Sequence, residues 1–260
     1  MADKVLVMLP TYNEKENVKK MCTMIRDQGI TADILFIDDN SPDGTGDLLD
    51  SMSKEISGLF VLHRAGKLGI GSAHTDGIHW AYSHKYTHLV TMDSDFTHSP
   101  ENIKDFLKYG NDYQIVVGSR FKLKNSLEGW NMWRKFMTHT GHALTRVLLK
   151  VPYDATGAFR LYRIDQIPEE VFEFVKSRGY SFFFESLGIL HLNKFSIQEV
   201  PIVLPPRTYG HSKLRFRDMV QCLLFMIELG FTIRLQPKTI TLQKSTDVEK
   251  NKNLSSRSLL

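Results

Sequence analysis

Short apolar runs alternate with amphipathic stretches through the first half of the chain. Val5-Leu6-Val7-Met8-Leu9 is continuous and apolar, the signature of a strand buried on both faces. Pro10-Thr11-Tyr12-Asn13 breaks it, and Asn13 with Glu16 three residues later resembles a capping box. A helix is therefore expected to about Asp27, ending before Gly29. The alternation then repeats: strand 34–37, an acidic turn, helix from about Gly46 to Lys54, strand 59–62. A glycine-rich turn opens helix 72–84, and strand 88–92, helix 101–109 and strand 114–118 follow. Strands alternating with helices imply an α/β domain, a mostly parallel sheet with helices on both faces. Ligands of such sheets bind beyond the carboxyl ends of the strands, so the turns leaving them are where chemistry is expected.

Two of those turns are acidic. Ile34-Leu35-Phe36-Ile37 leads into Asp38-Asp39-Asn40-Ser41-Pro42-Asp43-Gly44-Thr45, and Thr87-His88-Leu89-Val90-Thr91-Met92 closes on Asp93-Ser94-Asp95. Carboxylates two residues apart at a strand end can both reach one divalent cation. Hard oxygen ligands suit Mg²⁺ or Mn²⁺, which neutralise the phosphates of a nucleotide-activated donor. Asp-x-Asp alone is common at loop starts, and its weight here comes from the second acidic turn. Together they point to a nucleotide pocket. Lys67-Leu68-Gly69-Ile70-Gly71 lacks a full dinucleotide or Walker pattern and reads equally well as a tight strand-to-helix turn. Lys67 beside it is placed to meet a diphosphate.

Composition narrows the class further. With 42% hydrophobic and 24% charged residues among 260, the chain is an ordinary globular protein able to bury a substantial core. The net charge of +4 is mild but unevenly spread. Between Arg120 and Lys150 stand Arg120, Lys122, Lys124, Arg134, Lys135, Arg146 and Lys150 against a single acid, Glu128. That excess favours an anionic partner, a phosphate or an acidic membrane surface. No basic-aromatic repeat or recognition-helix pattern points to nucleic acid. Cys22 and Cys222 make no disulfide framework, no Cys/His cluster has zinc spacing, and the ten histidines read as ordinary surface or core residues. A cytoplasmic setting is expected. The first strand starts too early for a signal peptide, and no apolar run reaches the length of a membrane span.

If Trp130 to Leu149 is helical, Arg134 and Thr138 are four apart on one face. Lys135, His139, His142 and Arg146 form a neighbouring polar stripe. Trp133, Phe136, Met137, Leu144, Val147 and Leu148 form an apolar one. Such a helix either packs on the sheet with its charges in water or lies in a membrane interface. A second stripe shifts the balance towards the interface: Phe216, Met219, Val220, Leu223, Leu224, Ile227 and Phe231, widened by Phe225, Met226 and Leu229. Arg215 and Arg217 stand at its start. This segment is too short to cross a bilayer of ~30 Å but long enough to lie on it or to dock a small membrane subunit. Residues 1–235 then form one domain, including interface helices at about 130–149 and 216–233. From Gln236 the chain turns polar and basic, and 236–260 is expected to be a disordered, solvated tail.

The motifs Pro10-Thr11-Tyr12-Asn13-Glu14, Asp38 to Thr45, Lys67 to Gly71, Asp93-Ser94-Asp95 and Gly118-Ser119-Arg120 occur in this order in inverting family-2 glycosyltransferases with the GT-A fold. Thr156-Gly157-Ala158-Phe159-Arg160-Leu161-Tyr162-Arg163 and Arg207-Thr208-Tyr209-Gly210-His211-Ser212-Lys213 narrow the likeness. Over roughly residues 4–230 the chain resembles the dolichyl- or polyprenyl-phosphate mannosyltransferases.

That resemblance implies that Pro10, Tyr12 and Glu14 line the nucleotide pocket with Asp39 near the base or ribose. Asp93 and Asp95 would hold Mg²⁺ or Mn²⁺ against the donor diphosphate. Thr97 stands where relatives often place Gln or Ser as a further metal ligand, and its shorter hydroxyl leaves room for an intervening water. Arg207 and Lys213 would reach the diphosphate, and Arg120, Arg134 and Thr138 would receive the acceptor phosphate. The implied reaction carries mannose from GDP-mannose to a polyprenyl or dolichyl monophosphate, with Asp95, Arg120, Arg134, Arg207 and Lys213 central to it. A transferase using UDP-glucose or another nucleotide sugar, and a non-catalytic sugar-nucleotide-binding subunit, are the alternatives. The expected location is peripheral on the cytosolic face of a membrane, endoplasmic reticulum in a eukaryote or inner membrane in a bacterium.

Overall fold

The computed structural model describes residues 3–205 and 216–242. In chain order the elements are β1 (Val5–Thr11), α1 (Lys15–Arg26), β2 (Ala32–Asp38), α2 (Thr45–Glu55), β3 (Leu59–His63), α3 (Ile70–Ser83), β4 (His88–Thr91), α4 (Asn102–Gly110) and β5 (Ile115–Ser119). Then come α5 (Met132–Leu148), β6 (Arg160–Arg163), α6 (Glu170–Glu173), α7 (Phe182–Leu192), β7 (Ile197–Pro201), α8 (Phe216–Leu235) and a 3₁₀ turn, Pro237–Ile240. The strands form one sheet in the order β3-β2-β1-β4-β6-β5-β7. All pairings are parallel except those of β6, which runs antiparallel to both β4 and β5.

Each element expected in the first half is present, with ends that agree to within two residues. The central strands are buried on both faces, as continuous apolar runs require. α1 buries Val18, Met21, Cys22 and Ile25, a helical stripe that packs under one face of the sheet with Leu49, Ile103 and Phe106. The other face carries α3, α7 and α8. His74 of α3 sits there between Phe182 and Phe183, and burial pushes its imidazole down to about 3, so it is a neutral core residue.

Two expectations need correcting. Asn13 does not cap α1: the helix starts at Lys15 after Glu14 without a side-chain cap. Asn13 instead takes a left-handed turn (φ 56°), and its N–H donates to Ser41 Oγ at 2.9 Å, tying the first turn to the acidic one. The tail does not begin at Gln236. Ile240 is buried, and Asn193 at the end of α7 accepts from Leu242 N (2.7 Å) and donates to Ile240 O (3.0 Å), so the chain is bound to the domain through Leu242. Residues 243–260 lie outside the described residues.

Helices α5 and α8 pack together towards their carboxyl ends. Arg234 of α8 donates to the carbonyls of Leu148 (2.6 Å) and Val147 (2.9 Å), capping α5. Each helix divides its apolar residues between two directions. On α8, Met226 and Leu229 enter the core, while Val220, Leu223, Leu224, Ile227 and Phe231 face outwards. On α5, Leu144 and Leu148 pack inwards, while Met132, Trp133 (63% exposed), Phe136 and Val147 are left in the open. No helix among the described residues is long and apolar enough to cross a membrane.

Candidate active site

Strand β1 pairs with β2 on one side and β4 on the other, so the carboxyl ends of these three strands lie side by side where the strand order reverses. Such a switch point is the ligand crevice of an α/β sheet. Pro10, Tyr12, Glu14, Asp39, Asp93 and Asp95 stand at or just beyond these strand ends.

The acids of the first turn have separate tasks. Asp38 accepts from Ser41 Oγ (2.5 Å) and Ser41 N (3.2 Å), and Asp43 accepts from Thr45 N (2.9 Å), Thr45 Oγ1 (2.5 Å) and Lys15 N (3.3 Å). Both build the loop and order the start of α2. Asp39 is engaged sideways: its carboxylate pairs with the buried Arg64, whose guanidinium also reaches Ser72 Oγ (2.5 Å) and Asp76 Oδ2 (2.8 Å) on α3. Burial raises the Asp39 carboxyl above its usual range, against the opposing pull of Arg64. Lys67 Nζ sits 4.4 Å above the Tyr12 ring, so it belongs to this pocket.

The glycines beside Lys67 do not form a phosphate loop. A Cβ on Gly69 (φ +104°) would collide with Arg178 O, and one on Gly71 would meet Gly179 O and the Phe182 Cβ at 2.6 Å. The turn is a close backbone-to-backbone packing against segment 177–179. Glu185, buried on α7, holds that segment by accepting from Lys176 N (3.0 Å) and Ser177 N (2.8 Å).

At the second acidic turn, Phe96 adopts a left-handed conformation (φ 62°) that folds the chain back on itself. Thr97 then donates to Asp95 Oδ1 through its hydroxyl (2.6 Å) and its N–H (3.1 Å). Thr97 therefore stands beside Asp95 and orients its carboxylate. His98 Nδ1 accepts from Asp93 N at 2.9 Å. Among the described residues no group of three or more His, Cys, Asp or Glu is arranged to hold a metal. The donor set nonetheless fits a hard cation: two carboxylates at one strand end, one already oriented by two hydrogen bonds. The other ligands would come from diphosphate oxygens and water, the usual arrangement for Mg²⁺.

Arg120, directly after β5, forms a two-pronged pair with Asp154: Nε to Oδ2 at 2.8 Å and Nη2 to Oδ1 at 2.6 Å. Nη2 also reaches Thr156 Oγ1 (2.5 Å), and the Arg120 N–H donates to Asp154 Oδ2 (3.1 Å). Burial disfavours both charges, yet their attraction wins: the carboxyl is held below its usual range and the guanidinium above it. The Asp93 carboxylate adds to the rise at Arg120, which brings this cation within electrostatic reach of the acidic turn. Arg120 also lines a cavity of about 430 Å³ with Lys122, Lys124, Lys135 and His139. Lys135 and His139 thus share this cavity with Arg120, and Arg134 and Thr138 are not part of its lining. Arg134 stacks over Trp130, 3.4 Å from the ring centre, and Thr138 is half-buried one turn on. Arg207 and Lys213 lie outside the described residues.

Four contributors escaped sequence reasoning: Arg64, Ser72, His98 and Asp154. Only Arg64 left a trace, a charged residue directly following a strand.

A model of the glycosyl transferase family 2 matches residues 6–168. Undecaprenyl-phosphate mannosyltransferase of Micrococcus luteus is 35% identical over 213 residues, covering 81% of this chain and 87% of the relative. Polyprenol monophosphomannose synthase of Mycolicibacterium smegmatis is 32% identical over 237 residues, 89% of each. Among solved structures, mannosyl-3-phosphoglycerate synthase from Rubrobacter xylanophilus superposes with a TM-score of 0.62 at 16% identity, covering 93% of this chain and 76% of its own. The Pyrobaculum calidifontis mannosyltransferase PcManGT, solved with GDP-Man and Mn²⁺, gives 0.51 at 12% identity, covering 100% and 81%. The fold is therefore GT-A, and the protein is a glycosyltransferase. The chain belongs to glycosyl transferase family 2.

Proposed function

We propose that this enzyme transfers mannose from GDP-mannose to a polyprenyl or dolichyl monophosphate, with inversion at the anomeric carbon. The observation that carries the reading is a buried Arg120 paired with Asp154 just after β5, on the same edge of the sheet as the Asp93/Asp95 turn after β4, together with two helices that expose apolar faces. The names of the two bacterial relatives agree with it.

An acceptor phosphate is anionic near neutral pH, so attack needs no general base. The work of the site is to align two anions and offset their repulsion. Tyr12, Asp39 and Lys67 take the nucleoside diphosphate end of the donor. Asp154 holds Nε and Nη2 of Arg120 and leaves Nη1 for the acceptor phosphate, so the cation is in place before the substrate arrives. Arg134, Thr138, Arg207 and Lys213 add further contacts to the two phosphate groups. Asp93 and Asp95 would hold Mg²⁺ or Mn²⁺, which would supply positive charge to offset that of the departing diphosphate.

The outward residues of α5 and α8 rest on a membrane surface, where the isoprenoid chain resides. A small membrane subunit is the other occupant those faces suit.

The test is an activity panel crossing GDP-mannose, UDP-glucose and UDP-GlcNAc with polyprenyl phosphate and a soluble alcohol, with and without Mn²⁺. Turnover of GDP-mannose and polyprenyl phosphate alone is expected. Preference for a UDP-sugar would overturn the donor, and transfer only to the alcohol would overturn the acceptor.

A further inference from the structure

We infer that His98 is a positioning residue for the donor-diphosphate end of the site, acting through the backbone of Asp93. This rests on the proposed role of Asp93 and Asp95. His98 is buried, its ring lies against Phe159 with centres 5.0 Å apart, and its Nδ1 accepts from Asp93 N at 2.9 Å. An Nδ1 that accepts carries no proton, so the ring is the neutral tautomer with its hydrogen on Nε2.

The bond falls at a particular place. Met92 N still donates to Met8 O of β1, so Asp93 is the first residue to leave the ladder. Its N–H must find another acceptor. His98 supplies one from five residues ahead, and the left-handed Phe96 makes that return possible. An aromatic residue adopts φ 62° only where surrounding contacts compel it. Here three such contacts close the loop: His98 on Asp93, Thr97 on Asp95, and Ser94 Oγ on Pro10 O at 3.4 Å. Thr97 fixes one carboxylate by its side chain. His98 fixes the other residue by its main chain, and the partly exposed Asp93 carboxylate (32%) has Oδ2 3.9 Å from the same Nδ1.

The geometry separates the candidate substitutes. An Asn Oδ1 lies at the reach of Nδ1 and can accept from the same N–H. The Gln amide extends to the position of Nε2 and overshoots. His98→Asn should therefore rescue what His98→Gln and His98→Ala lose, although Asn and Gln both forgo the ring against Phe159.

The full chain is titrated with Mn²⁺ in the presence of GDP, read by electron paramagnetic resonance, alongside thermal midpoints and steady-state kinetics. His98→Gln should weaken Mn²⁺ binding roughly 10–100-fold, the usual cost of losing an outer partner of a metal ligand, and raise the donor KM more than the acceptor KM. His98→Asn should stay within a few fold of wild type, with a midpoint no higher than that of the Gln variant. Equal Mn²⁺ affinity in the Asn and Gln variants would overturn the inference, as would wild-type affinity in the Gln variant while Asp95→Asn loses it. Retained affinity in Asp95→Asn would instead remove the metal from the acidic turn, and the role of His98 with it. If His98→Ala fails to fold, the Asn–Gln pair decides alone.

Discussion

Replacing Asp154 by Ala is expected to destabilise the fold by about 3–5 kcal/mol, the typical loss when one partner of a buried ion pair is removed. The magnitude follows from what stays behind. Arg120 is 10% exposed at its side chain and Asp154 is 0%. The guanidinium cannot shed its proton, so the variant buries an uncompensated cation and loses the bonds at 2.8, 2.6 and 3.1 Å. For a domain of this size, roughly 2–4 °C of midpoint accompany each kcal/mol, so a fall of about 6–20 °C should appear by circular dichroism or calorimetry.

The pH dependence supplies a stricter check. The folded Asp154 carboxyl titrates below its unfolded value because Arg120 overcomes the burial that would raise it. A depressed carboxyl contributes stability that is complete above the unfolded value, about 4, and disappears as the pH falls through the folded value. The gap in unfolding free energy between wild type and Asp154→Asn should thus be widest near pH 7 and narrow steadily below pH 4. A gap of equal size at pH 7 and pH 3, or a loss under 1 kcal/mol in the Ala variant, would refute the reasoning.

Arg134→Ala should raise the KM for polyprenyl phosphate well above its effect on the donor KM, at a cost of roughly 2–4 kcal/mol in transition-state binding; equal effects on both substrates in steady-state kinetics would contradict the assignment. Gly71→Ala should destabilise by about 1–3 kcal/mol through overpacking against Gly179 O and Phe182, measured by urea unfolding, with no selective loss of diphosphate affinity. Trp133→Ser combined with Phe136→Ser should reduce co-sedimentation with anionic liposomes without lowering the thermal midpoint, because both side chains are exposed.

The apolar–polar alternation reveals the first half of the fold because its strands are short, continuous and separated by helices with one-sided apolar stripes. It stops there for physical reasons. α7 is buried along nearly its whole length, Phe182 through Leu190, so it has no polar face to mark its period. β6 is four residues of mixed character, Arg-Leu-Tyr-Arg, and Arg160 is wholly buried among Ala155 O, Phe183 O and Ser186 Oγ. No local rule places such a residue in a core strand. At the site, the acidic turns stand out because each follows its own strand. Their partners do not: Arg64 lies 25 residues from Asp39 and Asp154 lies 34 from Arg120. Those pairings exist only once the sheet has closed.

The reversed strand explains how Asp154 arrives at all. In a parallel sheet every strand ends at the ligand crevice, and the segment entering it starts at the opposite edge. β6 runs the other way between β4 and β5, with Arg160 opposite both Thr91 and Val117. Its entering segment, residues 154–159, therefore lands beside the ends of β4 and β5, where Asp93 and Arg120 stand. Asp154 N then donates to Glu199 Oε1 (2.8 Å) of the parallel β7, and Glu199 pairs with Lys122 at 3.2 Å. One antiparallel strand thus brings a carboxylate to a cation that a wholly parallel sheet would have left unpaired. In the proposed reaction, a guanidinium fixed in this way would need no rearrangement when the acceptor phosphate enters, which is the condition for electrostatic stabilisation of the transition state. The same pairing makes the site costly to fold without Asp154.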